Sequence, residues 1–372
     1  MNWNLNGNQV TLDGKHGKFK IKHMKYLITG NMGYLGSVVT SNFKKKYSNC
    51  EIIGVDTGFF VQCTLDRYFL PEVYVNNQYF YDVRNFPLDS LKGVDSIIHL
   101  AAISNDPMGK EFEVLTNDIN YISTIEIARK AKKAGVKNFV FASSCSVYGF
   151  ASQSSKTEDD TVNPLTAYAK SKIDAERDLL DLADENFTIT CLRFATACGY
   201  SPRLRLDLVL NDFVASALSL GKINILSDGS PWRPLIDVND MFRAIDWASS
   251  RKANNLNDFF VLVNVGSNNF NYTVLQIAQE VQRKLPNTLI EINKNAPPDK
   301  RSYKVDFTLF SELAKDYQPL CNLEQSINNL IFGLNNIKFT DKLFRESYLI
   351  RLNHLKSLKK LNLIDENLYF KF

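Results

Sequence analysis

The sequence is dominated by an alternation of short β-branched runs with amphipathic stretches of helical periodicity. Strand-like runs occupy residues 26–29, 51–55, 96–100, 139–142 and 188–192. Helical patterns fill 34–46, 118–134 and 167–184, and the second of these ends at Gly135, which suits a helix C-cap. Strands that alternate with helices form right-handed βαβ crossovers. The sequence therefore predicts an α/β protein with a doubly wound parallel sheet.

Beyond residue 193 this alternation loosens into shorter elements with more Pro and Asn, although one more buried strand is predicted at 259–265. A second, smaller α/β domain, interleaved with the first, is the expected result. Leucines recur at near-helical spacing from Leu349 to Leu358, which favours packing against the core over binding a partner. The predicted division is an N-terminal extension at 1–23, a first domain at 24–200 with a return segment near 232–266, a second domain at 201–231 and 267–340, and a C-terminal helical segment at 341–372.

The distribution of charge argues against binding to nucleic acid. The formal net charge is +4, and the segments 1–23 and 341–372, each at +3, leave the body between them at −2 without a basic stripe. No run reaches the ~18 apolar residues that a membrane span needs. We therefore expect a cytoplasmic protein that binds neither nucleic acid nor membranes.

Metal binding is not predicted either. The cysteines form no C-x-x-C pair and have no histidine at zinc-ligand spacing. Reduced thiols, which are typical of cytosolic proteins, fit this pattern best. The six cysteines are Cys50, Cys63, Cys145, Cys191, Cys198 and Cys321.

A glycine-rich turn follows the first predicted strand and opens the first predicted helix. Glycines at this position let the backbone approach a pyrophosphate, whose charge the helix N-terminus stabilises. Asp56 follows Gly36 by the ~20 residues expected of an acid that binds the ribose hydroxyls of a dinucleotide. A carboxylate there repels the 2′-phosphate of NADP, so NAD is the predicted cofactor. The predicted turn residues are Gly30, Asn31, Met32, Gly33, Tyr34, Leu35 and Gly36.

Tyr168 and Lys172 lie four residues apart in a predicted helix, so their side chains share one face. A phenol with a pKa near ~10 is a poor base at neutral pH, but a nearby ammonium and an oxidised nicotinamide favour the phenolate. Tyr168 can then take a proton from a substrate hydroxyl while the neighbouring carbon loses a hydride. The strand at 139–142 delivers the serine-rich segment 143–149 to the carboxyl edge of the sheet, where ligands bind in open α/β folds.

Taken in order, these motifs resemble those of the extended short-chain dehydrogenases/reductases, especially nucleotide-sugar epimerases and their relatives. The set comprises the G-x-x-G-x-x-G turn, the strand-end acid, the H-L-A-A run at 99–102, S-S-x-S-V-Y-G at 143–149 and Y-x-x-x-K, and it covers roughly residues 24–340. The resemblance implies a Rossmann-type sheet with a smaller substrate-binding domain. It also implies that Ser144, Tyr168 and Lys172 are the catalytic residues, with Lys172 binding the cofactor ribose as well.

Further cofactor contacts follow from the same resemblance. Asp82 and Val83 match a pair that contacts the adenine. The backbone beside the dinucleotide is expected at Leu100, Ala101 and Ala102. In addition, Asn120, with Thr124 four residues later, matches a helix asparagine that braces the active-site loop.

For the substrate, the resemblance implies a nucleotide-sugar. Arg233 matches an arginine that binds the substrate diphosphate, a task for which the forked donors of a guanidinium are suited. Arg203 and Arg205 add two cations, and either a role in this site or a solvated loop explains them. The complete set of predicted substrate-binding residues is Ser104, Ser144, Asn211, Arg233 and Arg301.

The chain departs from the family pattern at several positions. Many dehydratases carry Asp-Glu after the catalytic Thr, where this chain has Cys145-Ser146, so dehydration is disfavoured and Cys145 is expected to be an uncharged wall of the pocket. Many epimerases have an arginine where this chain has Ala296, a role that Arg301 is available to fill. Thr196 stands where galactose-type epimerases often use Asn, which leaves the sugar open.

The resemblance favours an epimerase that oxidises a sugar hydroxyl at C4 and returns the hydride to the other face, with NAD bound throughout. A ketoreductase or dehydrogenase of a nucleotide-activated deoxysugar would use the same three residues but release its cofactor at every turnover. A non-catalytic NAD-binding protein is the third possibility. The helices at 118–134 and 167–184 are expected to form a homodimer, since such enzymes commonly pair through them.

Overall fold

The computed structural model describes residues 2–5, 8–12, 19–65, 70–150, 154–253, 258–293 and 302–371. The strands are β1 (Asn2–Leu5), β2 (Asn8–Leu12), β3 (Phe19–His23), β4 (Lys25–Thr29), β5 (Glu51–Asp56), β6 (Asn77–Phe80), β7 (Ser96–His99), β8 (Asn138–Ser144), β9 (Thr188–Phe194), β10 (Thr196–Cys198), β11 (Lys222–Ile225), β12 (Trp232–Asp237), β13 (Phe260–Val265), β14 (Asn271–Thr273) and β15 (Leu289–Ile292). The α-helices are α1 (Tyr34–Lys46), α2 (Asp106–Glu111), α3 (Glu113–Asn117), α4 (Ser123–Lys133), α5 (Ala167–Leu180), α6 (Val209–Leu220), α7 (Val238–Ser250), α8 (Val274–Lys284), α9 (Thr308–Leu313), α10 (Leu323–Asn336) and α11 (Arg351–Lys360).

A seven-stranded parallel sheet in the order β13-β9-β8-β7-β4-β5-β6 forms the centre of the molecule. This confirms the predicted doubly wound fold. The strand order reverses at β4, which pairs with both β5 and β7. Ligands of open α/β sheets bind in the crevice at such a switch point, outside the carboxyl ends of the strands. The edge strand β6 was not predicted, because its polar, partly exposed residues lack the pattern of a buried strand.

Apolar side chains cover both faces of this sheet. On one face α1 and α7 pack together, with the Phe43 and Phe242 rings in an edge-to-face contact. On the other face α4 and α5 pack, joined by α11 from the C-terminal segment. Leu355 and Leu358 of α11 are buried there, which confirms that the C-terminal leucines pack against the core.

The elements after residue 200 build a third apolar cluster, in which α6, α8 and α10 pack around the parallel pair β11 and β15. Between them in sequence, α7 and β13 return to the main sheet. Strands β1 to β3 form an antiparallel sheet of their own. The division into domains stays a prediction.

The predicted helix ends differ from the structure where the helix is irregular. The helix predicted at 118–134 begins earlier, with α3, and a turn of π-helix at Asp118–Ile122 joins α3 to α4. The helix predicted at 167–184 ends at Leu180. Across the described ranges, no helix combines the length and apolar character needed to cross a bilayer.

Candidate active site

The carboxyl ends of β4, β5, β7, β8 and β9 surround a cavity of about 1060 Å³. All three predicted catalytic residues line it, as do Ser104 and Arg233 from the predicted substrate set. Arg301 lies outside the described residues, together with Ala296. The predicted cofactor residues in the cavity wall are Gly30, Gly33, Tyr34, Leu35, Gly36, Asp56, Asp82, Val83, Leu100, Ala101, Ala102, Tyr168 and Lys172.

The glycine turn has no room for side chains at two of its positions. Gly30 has a φ of +70°, and a Cβ there would lie 2.7 Å from the Ala101 backbone nitrogen. A Cβ on Gly36 would lie 2.1 Å from the Gly30 carbonyl oxygen. The bare backbone of this turn borders the cavity at the N-terminus of α1. These residues therefore fit a dinucleotide pyrophosphate, which needs close backbone approach and a helix N-terminus.

Asp56 lies at the end of β5 and anchors the same turn. Its Oδ2 accepts a hydrogen bond from the Met32 backbone N–H (3.0 Å), and its Oδ1 accepts one from Gly58 (2.8 Å). Burial raises the pKa of the Asp56 carboxyl, and the two N–H donors oppose that rise. Asn31 donates to Gln78 Oε1 (2.7 Å). Neither Asn31 nor Met32 lines the cavity, and both form hydrogen bonds that hold the turn.

Asp82 has a partner that the sequence did not reveal. Both the Nε and the backbone N–H of Arg84 lie 2.8 Å from Asp82 Oδ1, and Arg84 Nη2 lies 2.7 Å from Oδ2. This fork neutralises the carboxylate and fixes its orientation at the cavity wall.

Helix α5 presents the predicted catalytic pair. Thr166 caps the helix, with its Oγ1 accepting from the Ala169 backbone N–H (3.1 Å). The Ser144 hydroxyl acts on the Tyr168 hydroxyl and lowers its pKa. Lys172 Nζ donates to the Ala142 carbonyl (2.7 Å) and lies 5.7 Å from the centroid of the Tyr168 ring. The structure therefore brings all three side chains together at the end of β8.

Burial sets the protonation of this pair. It raises the pKa of Tyr168 to about 12, while the Ser144 hydroxyl and the charge of Arg205 act in the opposite direction. Burial also lowers the pKa of Lys172 to about 8, and the carboxylate of Glu176 opposes that fall. Tyr168 is therefore protonated at neutral pH in the cofactor-free protein. An added positive charge in the cavity would favour the phenolate.

The loop that carries Leu100 to Ser104 is held by buried side chains. Asn120 in the π turn accepts from the Ile103 N–H (2.8 Å) and donates to the Ile103 carbonyl (3.0 Å), which is the bracing contact that the resemblance predicts. His99, just before the loop, lies 2.8 Å from Thr29 Oγ1 through Nδ1 and 2.9 Å from Thr124 Oγ1 through Nε2.

Because His99 is buried, we expect the folded protein to lose stability in acid. Burial lowers its pKa from 6.5 to about 3, whereas the unfolded chain takes up the proton near pH 6.5. Unfolding thus binds a proton, and the free energy of unfolding falls as the pH drops below 6.5, by about 2 kcal/mol between pH 7 and pH 5 from this residue. Urea unfolding at both pH values should show this loss in the wild type and a smaller one in His99→Gln. Equal losses in the two proteins would refute the assignment.

Arg203 and Arg205, which the sequence placed either in the site or in a solvated loop, are both buried. The solvated-loop alternative is therefore wrong. Arg203 is bound to Glu72 through both terminal nitrogens. Arg205 lines the cavity, donates to Asp207 through Nε (2.9 Å) and Nη2 (3.0 Å), and donates to Ser104 Oγ (3.1 Å). Arg205 therefore fixes the hydroxyl of Ser104 next to the catalytic residues.

Asn211, a predicted substrate residue, lies outside the cavity wall. It is fully buried, its Oδ1 accepts from the Gly199 N–H (3.0 Å) and its Nδ2 donates to the Arg205 carbonyl (2.9 Å). The structure thus makes it a support of the Arg205 loop. Arg233 does line the cavity and donates to the Trp232 carbonyl through Nη1 (2.8 Å).

Cys145 does not form the pocket wall that the sequence predicted. Its thiol is buried behind the cavity and donates to the Arg193 carbonyl (3.0 Å), and burial raises the pKa of the thiol. Ser146 occupies the wall instead. Within the described part of the chain, the buried Ser146 hydroxyl has no hydrogen-bond partner.

Comparisons with known proteins agree with this geometry. Residues 26–266 match the NAD dependent epimerase/dehydratase family. UDP-glucuronic acid decarboxylase 4 of Arabidopsis thaliana is 27% identical over 333 residues, which cover 87% of this chain and 71% of that protein. UDP-glucose 4-epimerase of Bacillus subtilis is 25% identical over 254 residues, which cover 60% of this chain and 70% of that protein.

Among solved structures, UDP-glucuronic acid 4-epimerase from Bacillus cereus in complex with UDP-glucuronic acid and NAD superposes with a TM-score of 0.70 at 23% identity. The match covers 84% of this chain and 100% of that one. The chain therefore belongs to the NAD-dependent epimerase/dehydratase family, a group of extended short-chain dehydrogenase/reductase enzymes that use NAD as their cofactor.

Proposed function

We propose that the protein is a nucleotide-sugar 4-epimerase, with a UDP-sugar as substrate and NAD bound throughout the reaction. The observation that carries this proposal is that Ser144, Tyr168 and Lys172 line one cavity together with the glycine turn, with Lys172 Nζ next to the Tyr168 ring. The choice of UDP follows the names of the similar proteins, which include UDP-glucose 4-epimerase.

In this mechanism Tyr168 takes the proton of the sugar C4 hydroxyl, and the Ser144 hydroxyl bonds the reacting oxygen and holds it in line. Bound NAD supplies reversible hydride transfer. Lys172 contributes a positive charge that favours the phenolate of Tyr168, and, by the family resemblance, it would also hold the cofactor ribose. After the keto-sugar has turned in the cavity, Tyr168 returns the proton to the oxygen.

The positions that follow Ser144 support epimerisation over elimination of water. Elimination needs an acid and a base beside the sugar. Here Cys145 points away from the cavity with a raised thiol pKa, and Ser146 offers only a neutral hydroxyl. Decarboxylation also begins with oxidation at C4, so the substrate and product distinguish it from epimerisation.

The purified protein should be offered UDP-, GDP-, dTDP- and CDP-sugars with and without added NAD(P)H, after its bound dinucleotide has been identified. We expect epimerisation of a UDP-sugar without added cofactor. Release of CO₂ from UDP-glucuronic acid would assign decarboxylation instead. Stoichiometric consumption of NAD(P)H would assign the alternative, a ketoreductase or dehydrogenase.

A homodimer through α3, α4 and α5 is part of this proposal. Val114, Ile122 and Leu180 are exposed apolar residues on or next to these helices, and pairing would cover them. Sedimentation equilibrium should give twice the chain mass, and a monomer at micromolar concentration would contradict the proposal.

A further inference from the structure

Part of the cavity wall comes from the C-terminal segment, although the family match ends at residue 266. Ile350, Arg351, Leu355 and Leu368 all line the cavity. They belong to α11 and its flanking turns, more than eighty residues beyond the family match. This wall lies outside every residue that the family resemblance connects with the cofactor.

Hydrogen bonds join this segment to the region where the adenosine half of the dinucleotide is expected. His354 Nε2 lies 2.7 Å from the carbonyl oxygen of Phe59, in the loop that follows Asp56. Arg84, the partner of the acid predicted to contact adenine, donates to the Asn367 carbonyl (2.8 Å). The C-terminal segment is therefore built into the cofactor side of the cavity.

Arg351 is the unusual residue of this wall. It is only 1% exposed, and its Nη2 donates to the Arg203 carbonyl (2.8 Å). Its guanidinium carbon lies 4.7 Å from the centroid of the Phe60 ring. Among the described residues, Nη1 has no hydrogen-bond partner and no carboxylate lies within 4 Å of the guanidinium. A buried cation in this state is unfavourable unless an anion joins it.

The neighbouring acids of the described residues form their ion pairs with other arginines and compensate Arg351 only from a distance. The carboxylate of Glu72 is bound to Arg203, and that of Asp207 is bound to Arg205. Burial lowers the pKa of Arg351 to about 10; the charges of Arg205 and Arg203 act in the same direction, whereas Cys63 and the carboxylate of Asp207 oppose that fall. Across the described ranges, the positive charge of Arg351 at the cavity thus has no carboxylate in direct contact with it.

The position of Arg351 identifies the ligand group. On one side it contacts Phe60, in the loop after Asp56, where the adenosine ribose is expected. On the other it bonds the Arg203 carbonyl, two residues before Arg205, which lines the same cavity as Tyr168, where the nicotinamide is expected. The diphosphate of a dinucleotide lies between these two ends. We propose that Arg351 binds the NAD diphosphate, together with the glycine turn, and so makes the C-terminal segment part of the cofactor site.

This proposal rests on the NAD dependence of the family and not on the epimerase reaction, so binding alone tests it. Calorimetric titration should compare cofactor-stripped wild type, Arg351→Met, Arg351→Lys and Lys356→Met, each with NAD and separately with UDP. Lys356 is the matched control, because it lies on the same helix but pairs at the surface with Glu111.

We expect Arg351→Met to raise the Kd for NAD about 30-fold or more, since truncating one partner of a buried charge pair has a large effect. Arg351→Lys, which keeps the charge but loses the fork, should raise it about tenfold. Lys356→Met should bind NAD as the wild type does. The Kd for UDP should not change in any variant, and a loss of UDP affinity in place of NAD affinity would overturn the assignment.

Thermal unfolding separates binding from a merely structural role. Arg351→Met removes an uncompensated buried charge, so the Tm of the cofactor-free variant should equal or exceed that of the wild type. A lower Tm with an unchanged Kd for NAD would show that Arg351 only supports the fold. If the Met variant does not fold, an unchanged Kd in Arg351→Lys would overturn the proposal in the same way.

Discussion

Replacing Tyr168 with Phe is expected to lower kcat for the sugar substrate by about 10²- to 10⁴-fold, the range attributed to a positioned general acid or base. The phenyl ring keeps the volume of the side chain in α5, and only the hydroxyl that serves as the base is lost. Turnover should be measured in the direction of epimerisation, with the NAD content of each purified variant as the check that the cofactor is retained. A variant within threefold of the wild type would refute the mechanism.

Tyr303→Phe is the matched control, because Tyr303 is another buried tyrosine of the same cavity. It should change kcat far less. Ser144→Ala provides a second, independent test of this mechanism. Since the Ser144 hydroxyl lowers the pKa of Tyr168, its removal should raise that pKa and move the acidic limb of the kcat profile to higher pH. A shift to lower pH would mean that Ser144 does not act on the phenol.

The parts of the site that the sequence predicted are those fixed by short-range geometry. The glycine turn joins consecutive elements, and Tyr168 and Lys172 are one helical turn apart, so local periodicity places them without knowledge of the fold. Asp56 and Ser144 could be predicted because each ends a strand, and the ends of parallel strands meet at one edge of the sheet.

The parts that were missed depend on contacts between residues far apart in sequence. Arg351 meets the cavity from a segment beyond the family match, and no periodic pattern shows which strand end it reaches. Cys145 opens a turn of 3-10 helix, Cys145–Tyr148, directly after the last residue of β8. The direction of its side chain depends on this turn and not on the alternation along a strand, so the strand pattern did not reveal it. Ser146, the next residue, lies in the cavity wall.

Replacing Glu176 with Ala is expected to lower the free energy of unfolding by about 3 to 5 kcal/mol, because it leaves a buried arginine without its counterion. Glu176 and Arg193 are each only 5% exposed, and Arg193 donates to the carboxylate through Nη2 (2.7 Å) and Nε (3.1 Å). Ser143 also donates to this carboxylate. Urea unfolding at pH 7 measures the change.

The exposed pair of Glu126 and Arg129 on α4 is the control, since surface ion pairs contribute little to stability. If Glu176→Ala and Glu126→Ala lost equal stability, the buried pair would be no more important than a surface pair. Replacing both partners, with Glu176→Leu and Arg193→Met together, should recover part of the loss because no charge is then left unpaired. Full recovery is not expected, since Arg193 also donates to the Tyr148 hydroxyl (3.0 Å).

The same carboxylate connects stability to catalysis. Glu176 lies one helical turn after Lys172, and its charge raises the pKa of an ammonium that burial has lowered to about 8. In Glu176→Gln that support is lost, so Lys172 should release its proton at lower pH and the phenolate of Tyr168 should lose its neighbouring cation there. The basic limb of the kcat profile should therefore move to lower pH, whereas Glu126→Gln should leave it in place. If the basic limb of the Glu176→Gln variant stayed at the wild-type pH, Glu176 would not affect catalysis through Lys172 and its role would be structural only.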